Sequence, residues 1–274
     1  MPDKAVLGQS VAYPVDYDPS LLVPIPRELQ RPKELCEMKE FFGWDLWNAY
    51  ELSWLSPSGR PDVAIGEFSF DSKSKNLIES KSLKLYLMSL NFRVFASQDQ
   101  LQDVILNDLT HAANGSVEVR ILELNPSRTR LKVSAPSGDC LDRLSVECNT
   151  YQVDKGLLLG AQSSSCTAIH ESVYTNLFRS ICPVTSQPDW ATVTISYHGA
   201  EICREHLLKY LVSYRNHPGF HEDCVEKIWL DIWQSCSLET LTVTANFTRR
   251  GGLDINPVRS NGNPEYWFTR YVRQ

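Results

Sequence analysis

The sequence predicts an α+β fold in which antiparallel sheet is backed by paired helices, and in which that unit occurs twice. Three observations predict it: strand-type alternation, helix-type spacing, and the return of both in the same order at a constant offset of 124 residues. Residues 1–60 carry turn signals and aromatics (Pro14, Pro24, Pro26, Trp44, Trp47, Trp54) without sustained periodicity, which reads as a loop-rich arm with one short helix around 34–50. Ala64, Gly66, Phe68 and Phe70 then alternate as a strand, and 79–92 places Leu83, Tyr86, Leu87 and Leu90 on one helical face. Ser97 reads as the N-cap of a second helix carrying Leu101, Val104, Ile105 and Leu109. Gly115 is expected to end that helix before Val117, Val119 and Ile121 alternate as a strand.

The second half repeats these events. Thr192–Tyr197 alternates as a strand, 201–216 reads as a helix, Val225, Ile228, Trp229, Ile232 and Trp233 mark another, and Leu241, Val243, Ala245 and Phe247 form a closing strand. In register, Tyr86-Leu87-Met88-Ser89 lies over Tyr210-Leu211-Val212-Ser213, Leu101 and Val104 over Val225 and Ile228, and Val117 and Val119 over Leu241 and Val243. Further strands near 129–135 and 151–160 are expected to extend each sheet. The expected domains are an N-terminal unit, 1–140, with the arm, and a C-terminal unit, 141–274.

The 274 residues hold 27 Lys+Arg against 33 Asp+Glu, a net charge of −6, with 42% hydrophobic residues. This is a globular composition, and it excludes disordered, collagenous and small disulfide-scaffold classes. The acidic balance argues against a broad nucleic-acid face, which needs a basic excess to displace counterions. No stretch has the length of an apolar membrane helix, and MPDKAVLGQS is not patterned as a secretory signal, so a cytoplasmic location with reduced cysteines is expected for the 8 Cys.

Four stretches carry residues suited to chemistry. In Cys182-Pro183-Val184-Thr185-Ser186-Gln187-Pro188-Asp189-Trp190, two prolines hold a thiol and an acid in a non-helical segment leading into a strand. A packed cysteine near a turn is one reading. The other is a nucleophilic thiol beside a proton donor, suited to adding to an electron-poor carbon. In Asn216-His217-Pro218-Gly219-Phe220-His221-Glu222-Asp223-Cys224, a helix ends at Pro-Gly and another begins with a His-Glu-Asp cluster. Its carboxylates complement the helix end, or Glu222 accepts from the N–H edge of a heterocycle with His221 available for proton transfer. His217, His221 and Cys224 have a spacing a metal could use, but Pro218 and Gly219 break the helix between the first two. In Glu79-Ser80-Lys81-Ser82-Leu83-Lys84, Lys84 reads as a solvated first-turn charge. Glu79, Ser80 and Lys81 read either likewise or as a carboxylate, hydroxyl and cation around free backbone N–H groups that hold an anion. Arg249-Arg250-Gly251-Gly252 is a turn, or brings backbone and guanidinium to a phosphate. No G-x-G-x-x-G follows a strand, so a Rossmann site is not supported.

Together these stretches resemble the long form of the nitrile reductases of queuosine biosynthesis, the NADPH-dependent 7-cyano-7-deazaguanine reductases. Trp47-Asn48-Ala49-Tyr50-Glu51 with Ser53-Trp54-Leu55 resembles the family too, so the likeness spans nearly the whole chain. It implies tandem tunnelling-fold units, in agreement with the repeat, and a homodimer acting on a free deazapurine rather than on nucleic acid. It implies that Cys182 attacks the nitrile carbon to give a covalent thioimide and that Asp189 protonates the nitrile nitrogen. Glu79 and Glu222 would hold the deazapurine, with Ile78, Ser80 and His221 completing the pocket. Ser80, Lys81, Arg250 and Gly251 would contact NADPH, and no resident metal is implied. A thioimide carbon is a better hydride acceptor than a nitrile, and the mechanism needs Asp189 to hold a proton. The competing expectations are another tunnelling-fold enzyme acting on a pterin or purine with zinc, and a deazapurine-binding protein without catalysis.

Overall fold

The computed structural model describes residues 13–124, 133–160, 168–262 and 269–274. In chain order the strands and helices are β1 (Pro24–Pro26), α1 (Lys33–Glu37), β2 (Phe42–Leu55), β3 (Pro61–Asp71), β4 (Asn76–Ile78), α2 (Ser80–Ser89), α3 (Gln98–Ala113) and β5 (Val117–Glu123). There follow β6 (Val133–Ser134), β7 (Asp139–Cys140), β8 (Ala168–Ile181), β9 (Pro188–Ala200), α4 (Arg204–Ser213), α5 (His221–Ser235), β10 (Leu238–Phe247), β11 (Leu253–Ser260) and β12 (Arg270–Tyr271). The chain packs as two compact units, each gathered from separated stretches. One comprises Met1–Leu29, Trp44–Lys132 and Arg249–Ile255, the other Gln30–Gly43, Val133–Thr248 and Asn256–Gln274.

In the first unit β3 lies between β2 and β5, antiparallel to both. Strict alternation buries Val117, Val119 and Ile121 of β5 on the face that meets Leu83 and Tyr86 of α2, Leu90 just after it, and Leu101, Ile105 and Leu109 of α3. Ser97 caps α3 through its side chain, as expected. The helix ends one residue before the expected Gly115: Asn114 takes the left-handed conformation at φ 49°, which asparagine tolerates because its short polar side chain bonds locally.

The second unit has the order β11-β10-β9-β8-β7, antiparallel except at the short β7. Val193, Ile195, Val243, Ala245 and Phe247 point to one side, where α4 and α5 cover them with Leu207, Leu211, Val225, Ile228 and Trp229. Each unit is thus antiparallel sheet with paired helices, the predicted class. The repeat holds at atomic level. Ser80–Ser89 and Arg204–Ser213 are related by the offset of 124 at both ends. Tyr86 donates to Asp108 and Tyr210 to Asp231, each at 2.7 Å, while Ser89 and Ser213 each donate to the carbonyl of that tyrosine at 2.6 Å. Burial, then the aspartate partner, pushes the Tyr86 phenol well above its ordinary range.

Three expectations are corrected. The helix around 34–50 is only the five-residue α1, and the rest of that stretch opens the long strand β2. Core side chains in β2 fall at Trp47, Ala49, Leu52 and Trp54, because a bulge between Ala49 and Leu52 inserts an odd step. The resulting three-residue spacing imitates a helix. The strand expected at 151–160 is a single 3-10 turn, Lys155–Leu158, with Asp154 accepting from Gly156 N–H; a local cap outcompetes ladder pairing there. Of the strand expected at 129–135, residues 129–132 lie outside the described residues, and β6 pairs parallel with β12. Among the described residues no helix is long and apolar enough to cross a membrane.

Candidate active site

In the second unit, β8 and β9 form a hairpin whose connection begins at Cys182. Cys182 N–H donates to the Gln187 carbonyl at 2.9 Å and Ser186 N–H returns to the Cys182 carbonyl at 3.0 Å, closing the loop. Ser186 has φ 57°. The thiol is held at 6% exposure on a loop whose position the two long strands fix. Asp189, the second residue of β9, is paired with Ser180 across the ladder and buried at 7%.

The segment after α4 brings a second group of residues to that hairpin. Ile181 N–H donates to the His217 carbonyl at 2.9 Å and Gly219 N–H to the Ile181 carbonyl at 3.0 Å, a short parallel bridge that continues β8. α5 starts two residues later, so its first turn, His221-Glu222, arrives beside the hairpin. His221 Nε2 lies 3.5 Å from Asp189 Oδ1, and its ring stacks on Phe247 at 3.8 Å between centroids and 17°. Its Nδ1 is buried without a hydrogen-bond partner. Glu222 is buried at 4% in the same turn. The imidazole and the carboxyl group are therefore neighbours, and Cys182 opens the loop that ends beside Asp189; these are residue types that a nucleophilic addition with proton transfer can use.

Three neighbours of this cluster take roles here that the sequence did not show. Phe247 is the surface under His221, and only the pairing of β10 with β9 brings it there. Cys224, one turn along α5, is fully buried, and burial followed by the Asp223 charge pushes its thiol far up, which leaves it unreactive. Gly219 leaves little room for a side chain: a Cβ would stand 3.1 Å from Cys224 Sγ and 3.2 Å from His217 Nε2. Gly219→Ala is expected to cost about 1–3 kcal/mol by overpacking and to lower activity by shifting His221. Denaturant unfolding alongside turnover measures both, and a fully stable, fully active variant would refute it.

In the first unit, Ile78 pairs with Pro24 in β4–β1 and Glu79 caps α2. Glu79 is 1% exposed; its Oε1 accepts from Lys81 N–H and its Oε2 from Ser82 N–H, both at 2.9 Å. This corrects the expectation of free N–H groups at the helix start. A buried carboxylate already holds them, because a side chain attached to the chain outcompetes any diffusible anion for that position. Each Glu79 oxygen keeps further acceptor capacity. Ser80 and Lys81 are half-buried beside it. Lys84, one turn on, pairs with Glu51 at 3.3 Å. Gly251, at φ 60°, comes so close to this lysine that a Cβ would lie 3.3 Å from Lys84 Nζ. Lys81 shares a helix with Lys84, and Arg250 neighbours Gly251. Arg249 lies over the Tyr50 ring at 4.8 Å. A glycine-lined turn with several cations fits a phosphate-bearing cofactor such as NADPH.

A family model described as nitrile reductase, 7-cyano-7-deazaguanine-reductase N-terminal, matches residues 13–121, and a QueF-like protein model matches 188–266. The NADPH-dependent 7-cyano-7-deazaguanine reductase of Desulfotalea psychrophila is 47% identical, covering 98% of this chain and 96% of that one. The chain belongs to this family. The equivalents in Coxiella burnetii and Burkholderia orbicola are 46% and 44% identical, each covering 96% of this chain and 94% and 95% of their own lengths. The two reductase-family matches stand in tandem, one on each half, in keeping with the repeat. The first spans Ile78 to Lys81, and the second spans Asp189, His221, Glu222, Arg250 and Gly251. Cys182 lies just before the second match, on the hairpin that leads into it.

Proposed function

We propose that this chain reduces the nitrile of 7-cyano-7-deazaguanine to the primary amine with two NADPH, as a step in queuosine biosynthesis. The observation that carries the reading is the contact of His221 with Asp189, at the end of the loop that Cys182 opens, in a chain 47% identical, over nearly its full length, to a named reductase of this kind.

The residues do the following in this proposal. Cys182 Sγ adds to the nitrile carbon while Asp189 delivers a proton to the nitrile nitrogen, giving a covalent thioimide; the C≡N π bond becomes a C–S bond and an N–H bond. NADPH, when bound, supplies one hydride to that carbon in each of two rounds. After the first, the C–S bond breaks and Cys182 leaves as thiolate. His221, beside Asp189, replenishes protons there, and the amine carries away two hydrides and the matching protons. Glu222 and Glu79 accept from the N–H edge of the deazapurine, with Ile78, Ser80 and His221 around it. Ser80, Lys81, Arg250 and Gly251 receive the cofactor. The reading includes a homodimer in the cytoplasm and a free base as substrate, in keeping with a net charge of −6. It also takes 1–140 and 141–274 as the two duplicated units.

Incubating the purified chain with 7-cyano-7-deazaguanine and following nicotinamide absorbance tests the reading. The expected result is two NADPH oxidised per nitrile consumed, without added metal. Binding without oxidation would leave a deazapurine-binding protein, and a zinc requirement would favour a pterin or purine enzyme.

A further inference from the structure

Three guanidinium groups converge on Trp190, the residue after Asp189. The Cζ atoms of Arg273, Arg215 and Arg179 lie 5.1, 5.5 and 5.7 Å from its ring centroid. Arg179 is the partner of Trp190 across β8–β9, Arg215 belongs to the single turn Tyr214–Asn216 after α4, and Arg273 follows β12. One such contact is ordinary cation–π packing. Three exceed what the ring offers: an indole has two electron-rich faces and a positive edge, so at least two of the cations share a face. No two of them are more than about 11 Å apart, close to the screening length of physiological salt, so they repel one another.

Ion pairing among the described residues does not offset that repulsion. None of the three arginines is in an ion pair there. Arg273 donates to the Asn176 carbonyl. Asp142, which bonds the same asparagine, is committed to Thr175 and Asn176 at 2.7–2.9 Å. Arg179 Nε is buried with no hydrogen-bond partner, a donor whose desolvation is uncompensated. Three clustered guanidinium groups, their net positive charge and one unsatisfied buried donor together suit an oxyanion, and guanidinium matches phosphate in two-point geometry.

We infer that Arg179, Arg215 and Arg273, gathered on Trp190, form a binding site for a phosphate group. Naming the ligand rests on the proposed reaction. The deazapurine carries no phosphate and the dinucleotide carries several, so a phosphate of NADPH is the expected occupant, with free phosphate or pyrophosphate as the other source of the same chemistry.

Arg215 and Arg273 are exposed, so the double variant Arg215→Gln/Arg273→Gln removes two of the three charges with little packing disturbed. Two quantities are read at low ionic strength: pyrophosphate affinity by titration calorimetry, and KM for NADPH against KM for the nitrile. The expected result is at least a ten-fold weaker pyrophosphate affinity and about a ten-fold higher KM for NADPH, with the nitrile KM unmoved. Weakened pyrophosphate binding with an unchanged KM for NADPH would support the site and assign it to free phosphate. Both quantities unchanged in a variant that melts like wild type would overturn it. If the double variant does not fold, the two single variants read the same quantities, and Arg→Lys at both positions is expected to restore part of the affinity. The calorimetric arm needs no turnover, so wild type that fails to reduce the nitrile would sink the proposed function and leave this inference to stand or fall on pyrophosphate.

Discussion

Cys182→Ala is expected to abolish nitrile reduction, by at least about 10³-fold in kcat, while deazapurine binding changes only a few-fold. The asymmetry follows from geometry. The Cys182 backbone, not its thiol, closes the β8–β9 connection through the bonds to Gln187 and Ser186, so alanine leaves the loop in place. Asp189 and His221 are held by the ladder and by Phe247 and do not depend on the thiol. What disappears is the one group able to form a bond to the nitrile carbon. A titration with the nitrile should raise a thioimide absorbance in wild type that vanishes on adding NADPH, and no band in the variant. Turnover near the wild-type rate in a folded Cys182→Ala protein would return Cys182 to the role of a packed core residue.

Glu226→Ala is expected to cost the fold about 3–5 kcal/mol, more than any single change at the candidate site. Glu226 lies on α5 at 1% exposure and is the shared acceptor of two arginines. Arg259 of β11, fully buried, donates to Oε1 from Nε at 3.1 Å and from Nη2 at 2.9 Å. Arg31 donates to Oε2 from Nε at 2.8 Å and to Oε1 from Nη2 at 2.5 Å. Removing the carboxylate leaves the fully buried Arg259 guanidinium without this acidic partner, and that desolvation, rather than the lost attraction, sets the size of the effect. Urea unfolding of wild type and variant measures it; a loss below about 1 kcal/mol would mean that Arg259 finds another partner or water. Because α5 also carries His221 and Glu222, activity should fall as the helix loosens.

The elements that were legible in the sequence are those whose pattern is local. β5 alternates without interruption, α2 and α4 keep one apolar face, and Ser97 caps its own helix, so periodicity and capping rules read them directly. The elements that were not legible break the local rule for a stated reason. β8 was not read as a strand at all. Its core residues fall at Val173, Thr175, Phe178 and Ser180, the same two-three-two spacing as Trp47, Ala49, Leu52 and Trp54 in β2, and each strand has a register shift at the three-residue step. The first strand of each repeat thus carries a bulge at a matching place, and a period-two search fails on both. β11 is buried along its whole length, including Asp254, Asn256 and Arg259, so it has no polar side to alternate with.

The candidate site divides along the same line. The residue types, their grouping into four stretches, the duplication and the family were determined by the sequence alone, because each is a property of residues near one another along the chain. Tertiary structure alone decided which groups meet. Glu79 is spent in part on its own helix, His221 rests on Phe247 and faces Asp189, and three arginines from separate segments close on Trp190. The physical reason is that a hydrogen bond or an ion pair is chosen among all donors and acceptors that folding brings within about 3–4 Å, and that choice depends on strand register and helix placement rather than on spacing in the chain.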